Sequence, residues 1–260
     1  MSAKVCRWGV LSAAEIARKN WHSIAASGNS QLVAVASRDV VKAKTFIDAC
    51  QASVPVSHTV DALGSYDQLL QRKDIDAVYI PLPTAIRTEW VLKAAQAGKH
   101  VLVEKPCGVD VGEVRAMIQA CSERNLQFMD GVMFMHSSRL PAMRAVLDDP
   151  SAIGTIRHIA SQFCFCAPEE WFTTNIRVSS ELEPAGCVGD LGWYTIRMTL
   201  WTMKMQMPTE VRGRILHGIQ RPGSRVSVPV EFQGEMHFEG GTSASFFNSF
   251  RVHNTQYVAV

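Results

Sequence analysis

Gly98-Lys99-His100-Val101-Leu102-Val103-Glu104-Lys105-Pro106 marks this chain as an α/β protein. Its centre, His100 to Val103, is short, mostly apolar and rich in β-formers; it follows a glycine and ends on charge. Such a run reads as a parallel strand buried on both faces. In open α/β sheets, ligands bind beyond the carboxyl ends of the strands. Lysine is costly to bury and shifts its pKa readily when partly desolvated. Lys105 therefore stands where a proton donor or acceptor is useful. Taken alone, the tripeptide Glu104-Lys105-Pro106 reads more simply as a solvated lysine in a β–α loop, and the rest of the chain reverses that reading.

Working outward from this strand, the first half alternates strand and helix. Strands are expected over residues 5–11, 32–37, 77–81 and 127–134, and helices over 15–26, 41–50 and 89–97. Ala43, Phe46, Ile47 and Cys50 fall on one helical face, as do Val114, Met117, Ile118 and Cys121. This alternation implies right-handed crossovers and a doubly wound parallel sheet, assigned to residues 1–125. Beyond it the pattern becomes α+β. Strand-like runs cover 155–166, 210–216, 225–232, 235–238, 242–250 and 256–260, with a helix over 190–203 and a hairpin signal at Gly240-Gly241. Residues 126–260 thus read as a second domain with a mainly antiparallel open sheet. The sequence stops inside a strand pattern, which leaves a bare sheet edge, so this domain is read as incomplete at its C-terminus.

Composition bounds the function. With 260 residues, 47% hydrophobic and 19% charged, the chain builds one large or two medium globular domains. A net charge of +2 with no Lys/Arg cluster gives no electrostatic case for nucleic acid or a membrane surface. No apolar run approaches the roughly 18 residues of a membrane span. Lys4 and Arg7 precede a short apolar stretch, but Glu15 and Arg18-Lys19 interrupt it too early for a signal peptide. The seven cysteines are scattered and form no CxxC pair, and Cys164-x-Cys166 reads as packing on one strand face. This usage fits a reduced, cytoplasmic protein. The histidines show no metal spacing, so no metal is expected, and His136 reads as structural.

After the first strand comes Gly9-Val10-Leu11-Ser12-Ala13-Ala14-Glu15-Ile16-Ala17. A dinucleotide fingerprint wants glycine at 12 and 14 and Gly or Ala at 17; only Ala17 fits. The glycines let backbone N–H groups approach the pyrophosphate at the helix N-terminus, and Ser and Ala are the smallest substitutes. On its own the turn also reads as an ordinary β–α connection. The second strand ends Ala36-Ser37-Arg38, where a ribose-binding carboxylate would repel a 2′-phosphate and an arginine attracts one. A bound dinucleotide is therefore expected to be NADP rather than NAD. Arg38 also reads as a surface arginine, and Asp39 beside it competes for its charge.

These residues resemble the glucose–fructose oxidoreductase / inositol dehydrogenase / MocA (Gfo/Idh/MocA) family over essentially the whole chain. The most specific stretch runs from Val78-Tyr79-Ile80-Pro81-Leu82-Pro83-Thr84 to Gly98-Lys99-His100-Val101-Leu102-Val103-Glu104-Lys105-Pro106. A second block is Gly189-Asp190-Leu191-Gly192-Trp193-Tyr194. Met129-Asp130-Gly131 and Ile176-Arg177-Val178 look like a eukaryotic branch near the dihydrodiol and D-xylose dehydrogenases. The resemblance implies a Rossmann domain, a second α/β domain whose open sheet often makes a dimer, and nicotinamide in the crevice between the domains. It implies a catalytic acid/base at Lys105, a Lys-Pro bond that is commonly cis, and carry-over of the Asp-x-Gly-x-His/Tyr block as Asp190 and Tyr194. Ser12, Ala13, Ala14, Glu15, Ile16, Ser37, Arg38, Pro81, Leu82, Pro83, Thr84, Arg87, Glu104 and Lys105 are accordingly assigned to the cofactor. The chain departs from the family at Ser12 and Ala14, and at Thr84 and Arg87, where Asn and His are frequent.

The expected activity is hydride transfer between NADP and a hydroxyl or carbonyl carbon of a polyol, sugar or dihydrodiol. Lys105 moves the hydroxyl proton, Tyr194 is its partner or alternative, and Asp190 orients the substrate or tunes Lys105. Asp190 and Tyr194 are four apart and share a helix face, though spacing alone also fits a helix cap and a core tyrosine. Trp171 and Phe172 read as core rather than as a wall for a sugar ring. A homodimer through the second sheet is expected if that sheet is complete. The alternative from another class is a degenerate, non-catalytic dinucleotide-binding or interaction protein; a third is an eliminase that cycles the same cofactor.

Overall fold

A computed structural model describes residues 5–260, and Lys4 lies outside them. The chain divides into two compact units, Met1–Gly131 and Val132–Val260.

The first unit is built on β1 (Cys6–Leu11), α1 (Ala17–Ala26), β2 (Ser30–Ala36), α2 (Val40–Ser53), β3 (Asp61–Leu63), α3 (Tyr66–Leu70), β4 (Ala77–Ile80), α4 (Thr84–Gln96), β5 (His100–Val103), α5 (Val111–Ser122) and β6 (Phe128–Asp130). Its six strands lie in the order β3-β2-β1-β4-β5-β6, and every pair is parallel. This is the doubly wound sheet expected from the alternation, and its order reverses between β1 and β4. All four residues of β4 are buried, as a central parallel strand requires. Trp21, Ile24, Phe46 and Ile47 from α1 and α2 pack on Val10, Leu32, Val35 and Tyr79 of the sheet.

Several elements differ from the sequence reading. Helix α4 begins at Thr84 rather than 89, directly after Pro83, whose fixed φ of −56° leads into the helix. Strand β6 is only Phe128–Asp130; Met133-Phe134, the end of the expected strand, opens a 3₁₀ turn, Met133–His136, instead. Because β6 pairs with β5, the first unit closes at Gly131 rather than 125. β3 and α3 were not foreseen, being too short to show a period.

The second unit contains α6 (Arg139–Leu147), α7 (Pro150–Ile153), β7 (His158–Cys166), α8 (Trp171–Thr174), α9 (Trp193–Thr202), β8 (Glu210–Ile219), β9 (Val228–His237), β10 (Ser243–Ser249) and β11 (Arg251–Ala259). Its sheet runs β11-β7-β10-β9-β8, antiparallel except where β10 meets β7. The hairpin through Gly240-Gly241 joins β9 to β10. The two strands expected over 225–238 are one, β9. Gly234 interrupts the apolar alternation but not the strand, because an added Cβ there would lie 2.3 Å from the Phe246 ring. Trp171 and Phe172 join a core with Val178, Leu191, Val230 and Phe250, so both are packing residues. No disulfide joins the seven cysteines, all of which are among the described residues. Among the described residues no helix is long and apolar enough to cross a membrane.

The chain enters α9 through a π-helical turn, Val188–Gly192, where the sequence suggests an ordinary helix starting at 190. Gly186 leads into this turn at φ 47°, and a Cβ there would lie 2.1 Å from the Pro229 carbonyl oxygen. Gly186→Ala is therefore expected to destabilise the protein by at least about 2 kcal/mol, from a clash with backbone added to an unfavourable φ. A urea midpoint unchanged from the parent protein would contradict this packing.

Candidate active site

The parallel order brings the ends of β1, β2, β4 and β5 to one edge of the first sheet. At the end of β1, Ser12 has φ 138°, a region that glycine enters freely and serine does not. The turn thus holds a φ that suits glycine, with a serine in place. No side chain caps α1, whose N-cap is Ile16. The N–H groups of Ala17, Arg18 and Lys19 donate to the carbonyls of Ala14, Glu15 and Ile16, so an anion at this helix start would meet the amides of the turn before it. Ala13 and Ala14 are half-buried, and Glu15 and Ile16 are exposed. The Glu15 carboxylate is held by Arg18 Nε at 2.8 Å.

At the end of β2, buried Ser37 donates its N–H to Leu63 O (3.0 Å). Arg38 is exposed. Asp39 does not spend its charge on Arg38: its Oδ1 accepts the Val41 N–H at 2.9 Å and caps α2. The Arg38 charge and the Ser12 side chain both act on the Tyr66 phenol, against the burial that pushes its pKa up. Ser12, Arg38 and Tyr66 therefore form one neighbourhood. A small-residue turn in glycine geometry, an uncapped helix and an exposed arginine fit a phosphorylated dinucleotide.

The ends of β4 and β5 form a second cluster. Pro81, Leu82 and Thr84 are buried and Pro83 is half-buried. Thr84 and Arg87 lie one turn apart in α4, and Arg87 is only 5% exposed. Its Nε donates to Leu82 O (2.5 Å), and its Nη1 donates to Glu104 O (2.9 Å) and to Pro106 O. The Lys105-Pro106 bond is cis, and Glu104 and Lys105 are half-buried. The Tyr79 hydroxyl donates to Glu104 Oε1 at 2.5 Å. Burial first, then Glu104, push the Tyr79 pKa far up, with Asn20 and Arg87 opposing, so the phenol stays a donor.

In the second unit, Asp190 lies in the π turn, and Arg177 Nε pairs with its Oδ2 at 2.8 Å. Arg177 is set in a 3₁₀ turn whose start is fixed by Asn175 Oδ1 accepting the Arg177 N–H. Tyr194, in the first turn of α9, packs its ring on Phe134 (5.9 Å) and Phe163 (5.2 Å). Fully buried Asn248 accepts from Thr195 Oγ1 and donates to Phe163 O, tying α9 to the sheet. His136 is exposed on its turn. Sequence reasoning missed Tyr66, Tyr79 and Asn248, and did not foresee that Arg177 pairs with Asp190. The Ile176-Arg177-Val178 block carried a signal for the last, but the buried Tyr79 and Asn248 within strands, and Tyr66 in the short α3, carried none.

The sequence matches the model of the oxidoreductase family with an NAD-binding Rossmann fold, GFO_IDH_MocA, over residues 6–132. It also matches the GFO/IDH/MocA C-terminal domain over 142–260. It is 32% identical over 254 residues to the dTDP-3,4-didehydro-2,6-dideoxy-alpha-D-glucose 3-reductase of Streptomyces violaceoruber, covering 92% of this chain and 70% of that protein. It is 29% identical over 256 residues to the D-xylose 1-dehydrogenase (NADP(+)) 2 of Haloferax volcanii, covering 97% of this chain and 72% of that one. A 3-ketoreductase from Actinomadura kijaniata, solved with NADP and TDP-benzene, superposes with a TM-score of 0.80 at 27% identity. That match covers 98% of this chain and 73% of that one.

The backbone at Ser12 generates a test on stability. Ser12→Val puts a β-branched side chain into the glycine region and is expected to lower stability by about 1–3 kcal/mol. Ser12→Gly, which accepts that φ, is expected not to lower it. Urea denaturation ranks the two variants, and the reverse order would contradict the strained turn.

Proposed function

The chain belongs to the Gfo/Idh/MocA family of oxidoreductases, and from that membership we propose an NADP-dependent dehydrogenase or reductase acting on a CH–OH carbon of a sugar, polyol or dihydrodiol. The observation that carries this reading is the half-buried Lys105 at the end of β5, on the strand-end edge that also presents Ser12 and Arg38. The bound nucleotide supplies or accepts the hydride. Amides of the Ser12–Ile16 turn hold its pyrophosphate, and Arg38 holds its 2′-phosphate. Pro81, Leu82, Pro83 and Thr84, with the Glu104 segment, line the nicotinamide end. The carbohydrate part of the assignment is supported by relatives that are, by name, a deoxysugar reductase and a xylose dehydrogenase.

Lys105 takes the proton of the substrate hydroxyl in oxidation and returns it in reduction. A positioned acid/base of this kind contributes roughly 10²–10⁴-fold. Tyr194, its ring held by Phe134 and Phe163, is the second proton donor of the proposal. Asp190, oriented by Arg177, accepts from a neighbouring substrate hydroxyl. A homodimer through the second sheet completes the proposal. It is supported by β8, where Val211 is 66% and Ile215 58% exposed, an apolar surface that a second copy would cover.

Titration of NADPH fluorescence, followed by an oxidation screen over pentoses, hexoses and dihydrodiols, tests the reading; binding without turnover across the whole screen would favour a non-catalytic protein. Lys105→Ala is expected to lower kcat by about 100-fold or more while NADPH affinity stays within about threefold. Arg38→Ala is expected to weaken NADPH about tenfold and leave NADH unchanged, since one charge-assisted contact to phosphate is lost. Sedimentation at micromolar concentration is expected to give a dimer, and a monomer would remove that part of the proposal.

A further inference from the structure

Arg87 is the one residue assigned to the cofactor whose position argues for a different task. Arginine keeps its charge at any working pH and presents donors only. Burying it near the start of α4 sets a positive charge toward the positive end of that helix, which is unfavourable. Its hydrogen bonds show what offsets this. Nε takes the carbonyl of Leu82, in the loop after β4. Nη1 takes the carbonyls of Glu104 and Pro106, the two residues that flank Lys105. One guanidinium thus ties the β4–α4 loop to the β5–α5 loop, and a single nitrogen gathers the carbonyls on either side of the lysine. Two carbonyls drawn to one point leave the backbone at Lys105 little freedom.

We propose that Arg87 is a positioning residue for Lys105, fixing the backbone of the Glu104-Lys105-Pro106 segment, and not a contact to the nucleotide. In activity terms this rests on the dehydrogenase reading; in structural terms it does not. A planar, pre-organised fork suits the task, whereas lysine offers a single nitrogen that reaches only part of the carbonyl set. Small misplacements of a reacting group cost turnover more than binding. Loss of the clamp therefore falls on kcat, while the Ser12–Ile16 turn and Arg38 still hold the nucleotide.

The experiment compares the full chain with Arg87→Met and Arg87→Lys by steady-state kinetics, NADPH titration and amide hydrogen exchange. Arg87→Met is expected to lower kcat at least about tenfold with the NADPH Kd within about threefold. Arg87→Lys is expected to recover part of that loss. Exchange at the amides of Glu104, Lys105 and Cys107, and of Leu82 and Thr84, is expected to quicken about tenfold or more in Arg87→Met, with β1, β2 and the second unit unchanged. Equal protection of both loops in the variants would overturn the proposal. So would a loss of NADPH affinity as large as the loss of kcat, which would return Arg87 to the cofactor pocket. If the parent protein turns over no substrate, the dehydrogenase reading falls and the exchange comparison alone decides the role of Arg87. Should Arg87→Met fail to fold, Arg87→Lys decides: faster exchange confined to the two loops supports the clamp, and none overturns it.

Discussion

The parallel pairing of β1 with β4, Trp8 to Ala77 through Val10 to Tyr79, is the constraint on which the first unit depends. At that pair the strand order reverses, so the chain leaves the sheet toward opposite faces on its two sides. Every loop assigned to chemistry follows from it, because parallel strands carry their carboxyl ends to one edge. The pairing also explains the burial of Tyr79, whose hydroxyl reaches Glu104 beyond the end of β5. A residue in the middle of the sheet thereby supports the loop that carries Lys105.

Polar groups near this edge are satisfied in a way that separates support from chemistry. Asp39 caps α2, Glu104 accepts from Tyr79, and Arg87 holds three carbonyls. These bonds place groups rather than react. In the second unit the same division holds: Asn248 and Thr195 fix the start of α9, Arg177 aims Asp190, and two phenyl rings fix Tyr194. Arg87 and Asn248 are the deeply buried members of this set, and leaving either without its partners would cost about 1–3 kcal/mol.

Much of this was legible in the sequence, for physical reasons that also mark where reading stopped. Buried parallel strands are continuous apolar runs, so β1, β4 and β5 stand out and the doubly wound sheet follows. The start of α4 was hidden because Pro81-Leu82-Pro83 reads as loop, although a proline in front of a helix helps to open it. Gln233-Gly234 fell between two expected strands because the neighbour that a side chain at 234 would meet, the Phe246 ring, lies on another strand. Met133-Phe134 looked like strand because apolar character alone does not separate a turn from an extended segment. The fate of Arg87 was the least legible: arginine is usually exposed, and only tertiary structure shows carbonyls gathered around it. The glycine-like backbone at Ser12 was equally invisible, since a serine there announces the opposite.

The central claim is that Lys105 presents its amine to the reacting oxygen of a substrate beside a bound NADP. A crystal structure with NADP⁺ and a slow substrate measures this most directly. The expected complex has Lys105 Nζ within about 3 Å of the substrate oxygen and the 2′-phosphate on Arg38. A lysine turned into bulk solvent, or a nucleotide bound away from the ends of β1 and β2, would contradict it.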